Sequence, residues 1–487
     1  MQLCLINNSF RYEIEKLIRI FLPFEKIEFS QVRTNSDCSV EGEIIGNKAN
    51  ATLYFRGKVY TASREIESIN MNPEKDAELF LALAVYECFV SATDYVPDWG
   101  ILTGIRPAKL LSRLKKSMGK LQAEEYFKNY LMVNDKKLSL TLDALKGEGE
   151  ITSYSKPDSY SLYISIPFCP SRCSYCSFVS HSVEHAKKLI PDYVEYLCKE
   201  LEITAKIAKE NKLRLETVYM GGGTPTTLNP EQLHKVLQTV KDNFDLSDIS
   251  EYTVEAGRPD TVTKEKLEVI KSFGVTRISI NPQTMNDDVL KIIGRKHSVA
   301  QTIDAFNLAR ECGFDNINMD LIAGLTGDTF ESFVNTVDSV IELNPESVTV
   351  HSLSMKRSST MTKYNEIPEI KMGKTASQMV DYAYNTLAKN GIYPYYMYRQ
   401  SKTVGNLENV GYAKRGYESL YNVYIMDETH TILACGASAV TKLREPDGDY
   451  IERIFNYKYP YEYINQFDEI INRKNGIGDF YSKYLIP

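Results

Sequence analysis

The sequence predicts an α/β protein in which right-handed crossovers wrap a parallel sheet into a partial (β/α)6 barrel. An α+β region precedes the barrel and a smaller region follows it. Three observations predict this. From Tyr160 onward, apolar β-branched and aromatic runs alternate with stretches of helical spacing. Six such units in succession imply a parallel sheet, and crossovers of one hand close it toward a barrel. Polar or glycine-rich positions recur at the carboxyl end of each strand, where such barrels keep their chemistry.

The elements follow in order. Tyr160–Ile166 is a strand-like run, Ala186–Lys209 reads as a helix, and Leu215–Met220 as the second strand. Asn229-Pro230-Glu231-Gln232 opens a helix, with an N-cap, a proline at N1 and a glutamine at N3. Leu233, Val236, Leu237 and Val240 continue it at helical spacing. Glu251–Ala256, Thr276–Ile280, Asn316–Ile322 and Ser347–Ser352 complete the strands. Helical stretches near 263–272, 299–311, 328–342 and 375–389 intervene. A cysteine loop follows strand one, Gly221–Pro225 follows strand two, and Glu255 closes strand three. Gln283 follows strand four, Asp320 lies late in strand five, and His351 and Ser352 close strand six.

The organisation expected is an accessory α+β domain over 1–150, a barrel over 158–390 and a smaller substrate-side domain over 391–487. In the first, Val40–Ile45 and Ala51–Phe55 are strand-like, and Glu78–Val90 and Ala123–Tyr130 helical. Trp99-Gly-Ile-Leu-Thr-Gly-Ile-Arg-Pro107 reads either as a substrate contact or as a structural turn leading into a helix. Lys146–Pro157, with glycines, polar residues and a proline, reads as the linker. After Gly391, Tyr393, Tyr395, Tyr396, Tyr398, Tyr412 and Tyr417 are interleaved with Arg399, Lys402, Lys414 and Arg415. One reading is a platform for a flat ligand with carboxylate arms. The other is a small aromatic core with solvated basic residues.

With 487 residues, 25% charged and 43% hydrophobic, the chain has the composition of a globular protein with two or three cores. Its formal charge of −7 argues against a general nucleic-acid-binding surface. No window approaches the roughly 20 apolar residues of a membrane span. The start, Met1-Gln-Leu-Cys-Leu-Ile-Asn-Asn, lacks the basic-then-apolar layout of a signal peptide. Nine cysteines are too sparse for a disulfide scaffold in so long a chain. Single ones such as Cys435 read as small buried hydrophobes.

Three of the nine stand together in Cys169-Pro-Ser-Arg-Cys173-Ser-Tyr-Cys176. Three thiolates on one loop suit three irons of a [4Fe–4S] cluster and leave the fourth iron open for chemistry. Such thiolates must stay reduced, which suits a cytoplasmic, oxygen-poor setting. The competing reading is a zinc knot, for which His181 and His185 have the spacing of a further ligand pair. The flanks favour the cluster: Pro167 and Phe168 precede Cys169, Tyr175 sits between the last two cysteines, and Gly-Gly-Gly-Thr-Pro follows at 221–225. Gly221–Gly223 leave room for a ligand to approach the main chain. Glu255 can fix ribose hydroxyls or an ammonium group. Arg295 and Asp320 read either as site residues or as a structural ion pair, with Lys296 and His297 beside them as weaker candidates.

These features resemble the radical SAM superfamily. Within it, Tyr163-Ile-Ser-Ile-Pro-Phe-Cys169, Gly221–Pro225, Arg277-Ile-Ser-Ile-Asn-Pro-Gln283, Asn318-Met-Asp-Leu-Ile-Ala-Gly324 and Cys435-Gly-Ala-Ser-Ala439 are similar to the oxygen-independent coproporphyrinogen III oxidases. The amino-terminal region and Thr103-Gly-Ile-Arg-Pro107 resemble their longer, HemZ-type dehydrogenase subgroup. The resemblance implies that Cys169, Cys173 and Cys176 ligate the cluster, and that Tyr163, Gly222 and Glu255 contact S-adenosylmethionine bound to it. Tyr175, Gly223, Thr224, Gln283, Arg295, Asp320 and Ser352 would line a second S-adenosylmethionine site. It also implies a tetrapyrrole substrate, decarboxylated from propionate to vinyl, and an electron donor of flavodoxin or ferredoxin type. Two departures stand out. Ser165 replaces the histidine usual in the oxidases, and Asn406-Leu-Glu-Asn-Val-Gly-Tyr412 lacks the histidine and tryptophan of the heme-chaperone signature. The alternatives are a heme-binding chaperone of this family and a radical enzyme acting on another tetrapyrrole.

Overall fold

The structure, a computed structural model, describes residues 1–32, 38–176, 181–354 and 370–484, apart from the side chains of residues 185 and 371. The chain forms two compact units. The first comprises Met1–Leu142, Asn365–Gln378 and Tyr398–Glu408 as far as these are described; the second comprises the rest.

In the first unit, β1 (Gln2–Ile6), β2 (Glu28–Ser30), β3 (Ser39–Ile45), β4 (Lys48–Phe55) and β5 (Lys58–Glu65) make a sheet of order β2-β1-β3-β4-β5. The alternating burial along β4 matches a strand with one face covered. The helix Pro73–Thr93 covers that face. It starts where the Asn72 side chain accepts from the Glu74 and Lys75 amides ahead of a proline at N1. The Trp99 segment is the structural turn of the two readings: Trp99 is fully buried, and a helix starts at Pro107.

The second unit is built on the predicted parallel strands, β6 (Ser159–Ile166), β7 (Arg214–Gly222), β8 (Glu251–Glu255), β9 (Arg277–Ser279), β10 (Ile317–Ala323) and β11 (Ser347–Ser352). They lie in that spatial order and all run parallel. β6 is buried along both faces, and its three serines, Ser159, Ser161 and Ser165, are as buried as its apolar residues. The helix Pro230–Asn243 opens on the predicted capping box, with Asn229 and Gln232 each bonding the other's backbone amide. It packs against the helix Ile190–Glu210. This is the partial α/β barrel that the strand order predicts.

Two expectations about organisation differ from the structure. Lys146–Pro157 is no open linker, because the helix Asp135–Thr152 runs through most of it and the chain passes between the units inside that helix. Gly147, one of the glycines of that stretch, serves a close approach: a Cβ there would lie 2.7 Å from the Tyr395 Cα. Nor do the residues after 391 build a sheet of their own. β12 (Tyr393–Arg399) and β13 (Glu408–Ala413) extend the barrel sheet beyond β11. β14 (Thr431–Cys435), β15 (Val440–Arg444) and β16 (Ile451–Phe455) extend it beyond β6. β14 pairs parallel with β6, from Thr431 opposite Tyr160 to Cys435 opposite Ile164. Among the described residues, no helix is long and apolar enough to cross a membrane.

Candidate active site

The cysteine loop leaves the carboxyl end of β6 and is fastened along its length. The Gly223 amide donates to the Ile166 carbonyl at 2.8 Å and the Thr224 amide to the Phe168 carbonyl at 2.7 Å. A short two-residue pairing of Phe168 and Cys169 with His181 and Ser182 continues the anchorage. Further along, the Ser174 amide donates to the Ile293 carbonyl at 3.0 Å and the Cys176 amide to the Cys173 carbonyl at 3.2 Å. The sulfurs have donors of their own. Thr224 Oγ1 lies 3.5 Å from Cys169 Sγ, and Arg258 Nη1 lies 3.6 Å from Cys173 Sγ. A hydroxyl and a guanidinium aimed at sulfur suit thiolate ligands, so this donor set fits an iron–sulfur cluster. Among the described residues, no three His, Cys, Asp or Glu side chains gather as one metal ion would need. A cubane spreads its ligands over several irons and needs no such convergence. His181 Nε2 is buried without a hydrogen-bond partner, and the His185 side chain lies outside the described residues.

The glycine run has two separate duties. A Cβ on Gly223 would come within 2.6 Å of the Phe168 carbonyl oxygen, so this glycine is required by the backbone of the cysteine loop. A Cβ on Gly221 would meet the Glu255 carboxyl at 2.8 Å. Gly222 has φ +106°, a conformation that favours glycine, and sits against Ser165 Oγ. The strand register brings Ser165 opposite Gly221 and Ile166 opposite Gly222.

Glu255 closes β8 and accepts from the Tyr219 phenol at 2.5 Å. Burial pushes its carboxyl pKa up to about 7; the Tyr219 hydrogen bond opposes that rise and Asp320 adds to it. The Tyr219 ring stacks on Tyr421 at 4.4 Å between centroids, and Tyr163 stacks against both at 6.3 and 6.1 Å. Tyr163, Gly222 and Glu255, named by the resemblance, thus stand on three adjacent strands, with Tyr219 joining Tyr163 to Glu255.

The remaining predicted residues fall into two groups. Tyr175 Oη accepts from Arg295 Nε at 3.2 Å, and Arg295 Nη1 also donates to the Asn281 carbonyl at 2.5 Å. Asp320 accepts from Asn318 Nδ2 at 2.7 Å and lies 4.0 Å from His351 Nε2. Among the described residues, Arg295 and Asp320 make no ion pair with each other. Gln283 is buried with φ +69°, which is costly for a residue with a side chain. Its amide donates to the Asp320 carbonyl, and its carbonyl accepts from the Ile322 amide. Ser352 is buried at the end of β11, its amide donating to Asn409 Oδ1 at 2.9 Å. His297 is buried beside this rim, its pKa pushed down to about 3 by burial and by Arg295 and Arg258.

Of the two readings of the tyrosine-rich region, the structure favours the aromatic core at Tyr395, Tyr396 and Tyr412, except that Arg399 is buried and not solvated. Arg399 donates to the Leu102 and Asn406 carbonyls with its guanidinium over the Trp99 ring. Ser165 faces inward: its hydroxyl donates to the Ala437 carbonyl at 2.8 Å. A Cβ on Gly436 would come within 2.6 Å of both the Ser165 carbonyl oxygen and Tyr193 Oη. The Cys435–Ala439 segment is therefore the brace behind the cysteine strand. The sequence reading missed Tyr219, Tyr421, Arg258 and Asp260. For the last two the one available signal was a charged pair three and five residues beyond Glu255.

Residues 163–340 match the Radical SAM superfamily. The chain is 39% identical over 454 residues to the oxygen-independent coproporphyrinogen-III oxidase-like protein HemZ of Bacillus subtilis (strain 168), covering 92% of this chain and 89% of the relative. It is 32% identical over 312 residues to the heme chaperone HemW of the same organism, covering 62% of this chain and 77% of the relative. The solved coproporphyrinogen III oxidase HemN from Escherichia coli, a radical SAM enzyme, superposes with a TM-score of 0.53 at 23% identity. That match covers 66% of this chain and 71% of HemN, and it establishes the shared fold.

Proposed function

The chain belongs to the oxygen-independent coproporphyrinogen III oxidase-like family of radical SAM proteins, and from that premise we propose that it oxidatively decarboxylates the propionates of coproporphyrinogen III to vinyl groups. The family's cofactors are a [4Fe–4S] cluster and S-adenosylmethionine. When bound and reduced by a one-electron donor, they would supply hydrogen-atom abstraction at the propionate β-carbon; carbon dioxide would then be lost and the remaining electron pass to a one-electron acceptor, leaving the vinyl group. Cys169, Cys173 and Cys176 are the proposed iron ligands. Glu255, held by Tyr219, would orient the cofactor through its carboxylate, and Tyr163 and Gly222 would help to hold it. Tyr175, Gly223, Thr224, Gln283, Arg295, Asp320 and Ser352 are assigned to a second cofactor position.

The observation that carries the substrate assignment is the likeness to the oxidase-like relative along nearly its whole length, including the amino-terminal region. Anaerobic turnover of reconstituted, reduced protein with coproporphyrinogen III tests it. The expected products are 5′-deoxyadenosine and a porphyrinogen lighter by one carbon dioxide and two hydrogens per round. Formation of neither would refute the assignment. A second reading, heme delivery, is favoured by the likeness to HemW. Stoichiometric heme uptake without decarboxylation would select it.

A further inference from the structure

Arg258 stands at the centre of a buried charge cluster that the proposed reaction does not use. Its guanidinium grips Asp260 along one edge, Nε to Oδ1 and Nη2 to Oδ2, each at 2.9 Å. The opposite side of the fork faces the cysteine loop. Nη1 reaches the Ser171 carbonyl at 3.4 Å and Cys173 Sγ at 3.6 Å, and Nη2 reaches Ser171 Oγ at 3.2 Å. The Arg258 side chain is 4% exposed and that of Asp260 16%. His297 Nδ1 approaches Asp260 Oδ1 to 3.9 Å, but that imidazole is held neutral, so Arg258 supplies the countercharge. The three thiols are not equivalent: Cys173 is buried, whereas Cys169 and Cys176 are partly exposed. Arg295 adds a second positive charge near the buried sulfur.

We propose that Arg258, with its charge trimmed by Asp260, is a positioning residue that sets the reduction potential of the cluster through Cys173. The proposal rests on the assignment of the three cysteines as iron ligands. Hydrogen bonds to ligand sulfur and nearby net charge are the levers by which a protein tunes such a centre. A buried guanidinium donating to one thiolate stabilises the electron-rich, reduced form. Asp260 cancels part of that effect while fixing the fork in place. The step concerned is the entry of one electron from a low-potential donor; no bond breaks and no proton moves.

The structure therefore assigns opposite effects to two neighbours. Arg258→Gln removes the positive charge and lowers the midpoint potential. Asp260→Asn leaves Arg258 uncompensated and raises it. Each should shift the one-electron equilibrium about tenfold, or 59 mV. The measurement is an anaerobic dithionite titration of reconstituted full-length protein without S-adenosylmethionine. The reduced cluster is read by electron paramagnetic resonance, with iron content and far-ultraviolet circular dichroism as controls. Where Arg258→Gln fails to hold a cluster, Asp260→Asn decides by itself. Unchanged midpoints, or shifts of the same sign, overturn the proposal. So does loss of the cluster from both variants with the fold intact, which would leave the pair a purely mechanical role. Failure of the unsubstituted protein to take up a cluster refutes the ligand assignment instead.

Discussion

Tyr219 donates its phenol proton to Glu255 Oε1 across 2.5 Å, from one strand of the barrel to the next. Near pH 7 this buried carboxyl is divided between its two forms, because burial pushes its pKa up to about 7. A bound ammonium group favours the carboxylate, so S-adenosylmethionine binding should release a proton and tighten as pH rises from about 6 to 8. Tyr219→Phe removes a donor to the charged form and should weaken binding by roughly tenfold, about 1.5 kcal/mol. Glu255→Gln should weaken it further and abolish the pH dependence. Calorimetric titration of reconstituted protein in buffers of different ionisation heat measures both the affinity and the proton. Binding that is flat over this pH range would rule out the carboxylate's part. The raised pKa also has a sign for stability. Glu255's contribution to the unliganded fold is complete below its ordinary value of 4.5 and is lost as pH rises through about 7.

The glycines of the 221–225 run separate by what they face. Gly223→Ala pushes a methyl group against the backbone of the cysteine loop, which has no side chain to swing aside. Gly221→Ala instead meets two side chains, the Glu255 carboxyl at 2.8 Å and the Tyr219 ring at 2.9 Å, and so disturbs the hydrogen-bonded pair rather than the loop. Gly223→Ala should therefore lose most of its iron and sulfide after reconstitution. Gly221→Ala should keep its cluster while binding S-adenosylmethionine several-fold more weakly. Equal iron content in the two variants would contradict this division.

The parallel strands and the cysteine loop were legible because their signals are local: a β-branched run, a capping box, three cysteines in eight residues. What lay hidden was non-local. Nothing around Thr431–Cys435 announces that it pairs with Tyr160–Ile164, about 270 residues earlier. The same holds for Arg258, whose neighbours in sequence give no hint that its fork reaches Cys173. Tyr395 and Tyr396 admit two readings in the sequence because aromatic composition does not distinguish a stacking surface from a core. The linker reading of Lys146–Pro157 fails because a glycine that permits close packing, such as Gly147, looks the same in sequence as one in an open loop.

In the amino-terminal unit, Lys137 Nζ and Trp99 Nε1 converge on the Glu408 carboxylate, each at 2.7 Å, and both charged side chains are almost wholly buried. Breaking such a pair from one side leaves a charge without its partner, at a cost of about 3–5 kcal/mol. Lys137→Met should therefore destabilise this unit by that amount, while Lys137→Met combined with Glu408→Gln should recover a good part of it. Trp99 is the chain's one tryptophan, so its fluorescence reports the unfolding of this unit alone. Denaturant midpoints followed at that residue make the comparison directly. A double variant no more stable than the single one would mean that packing around the pair, rather than the unpaired carboxylate, carries the cost.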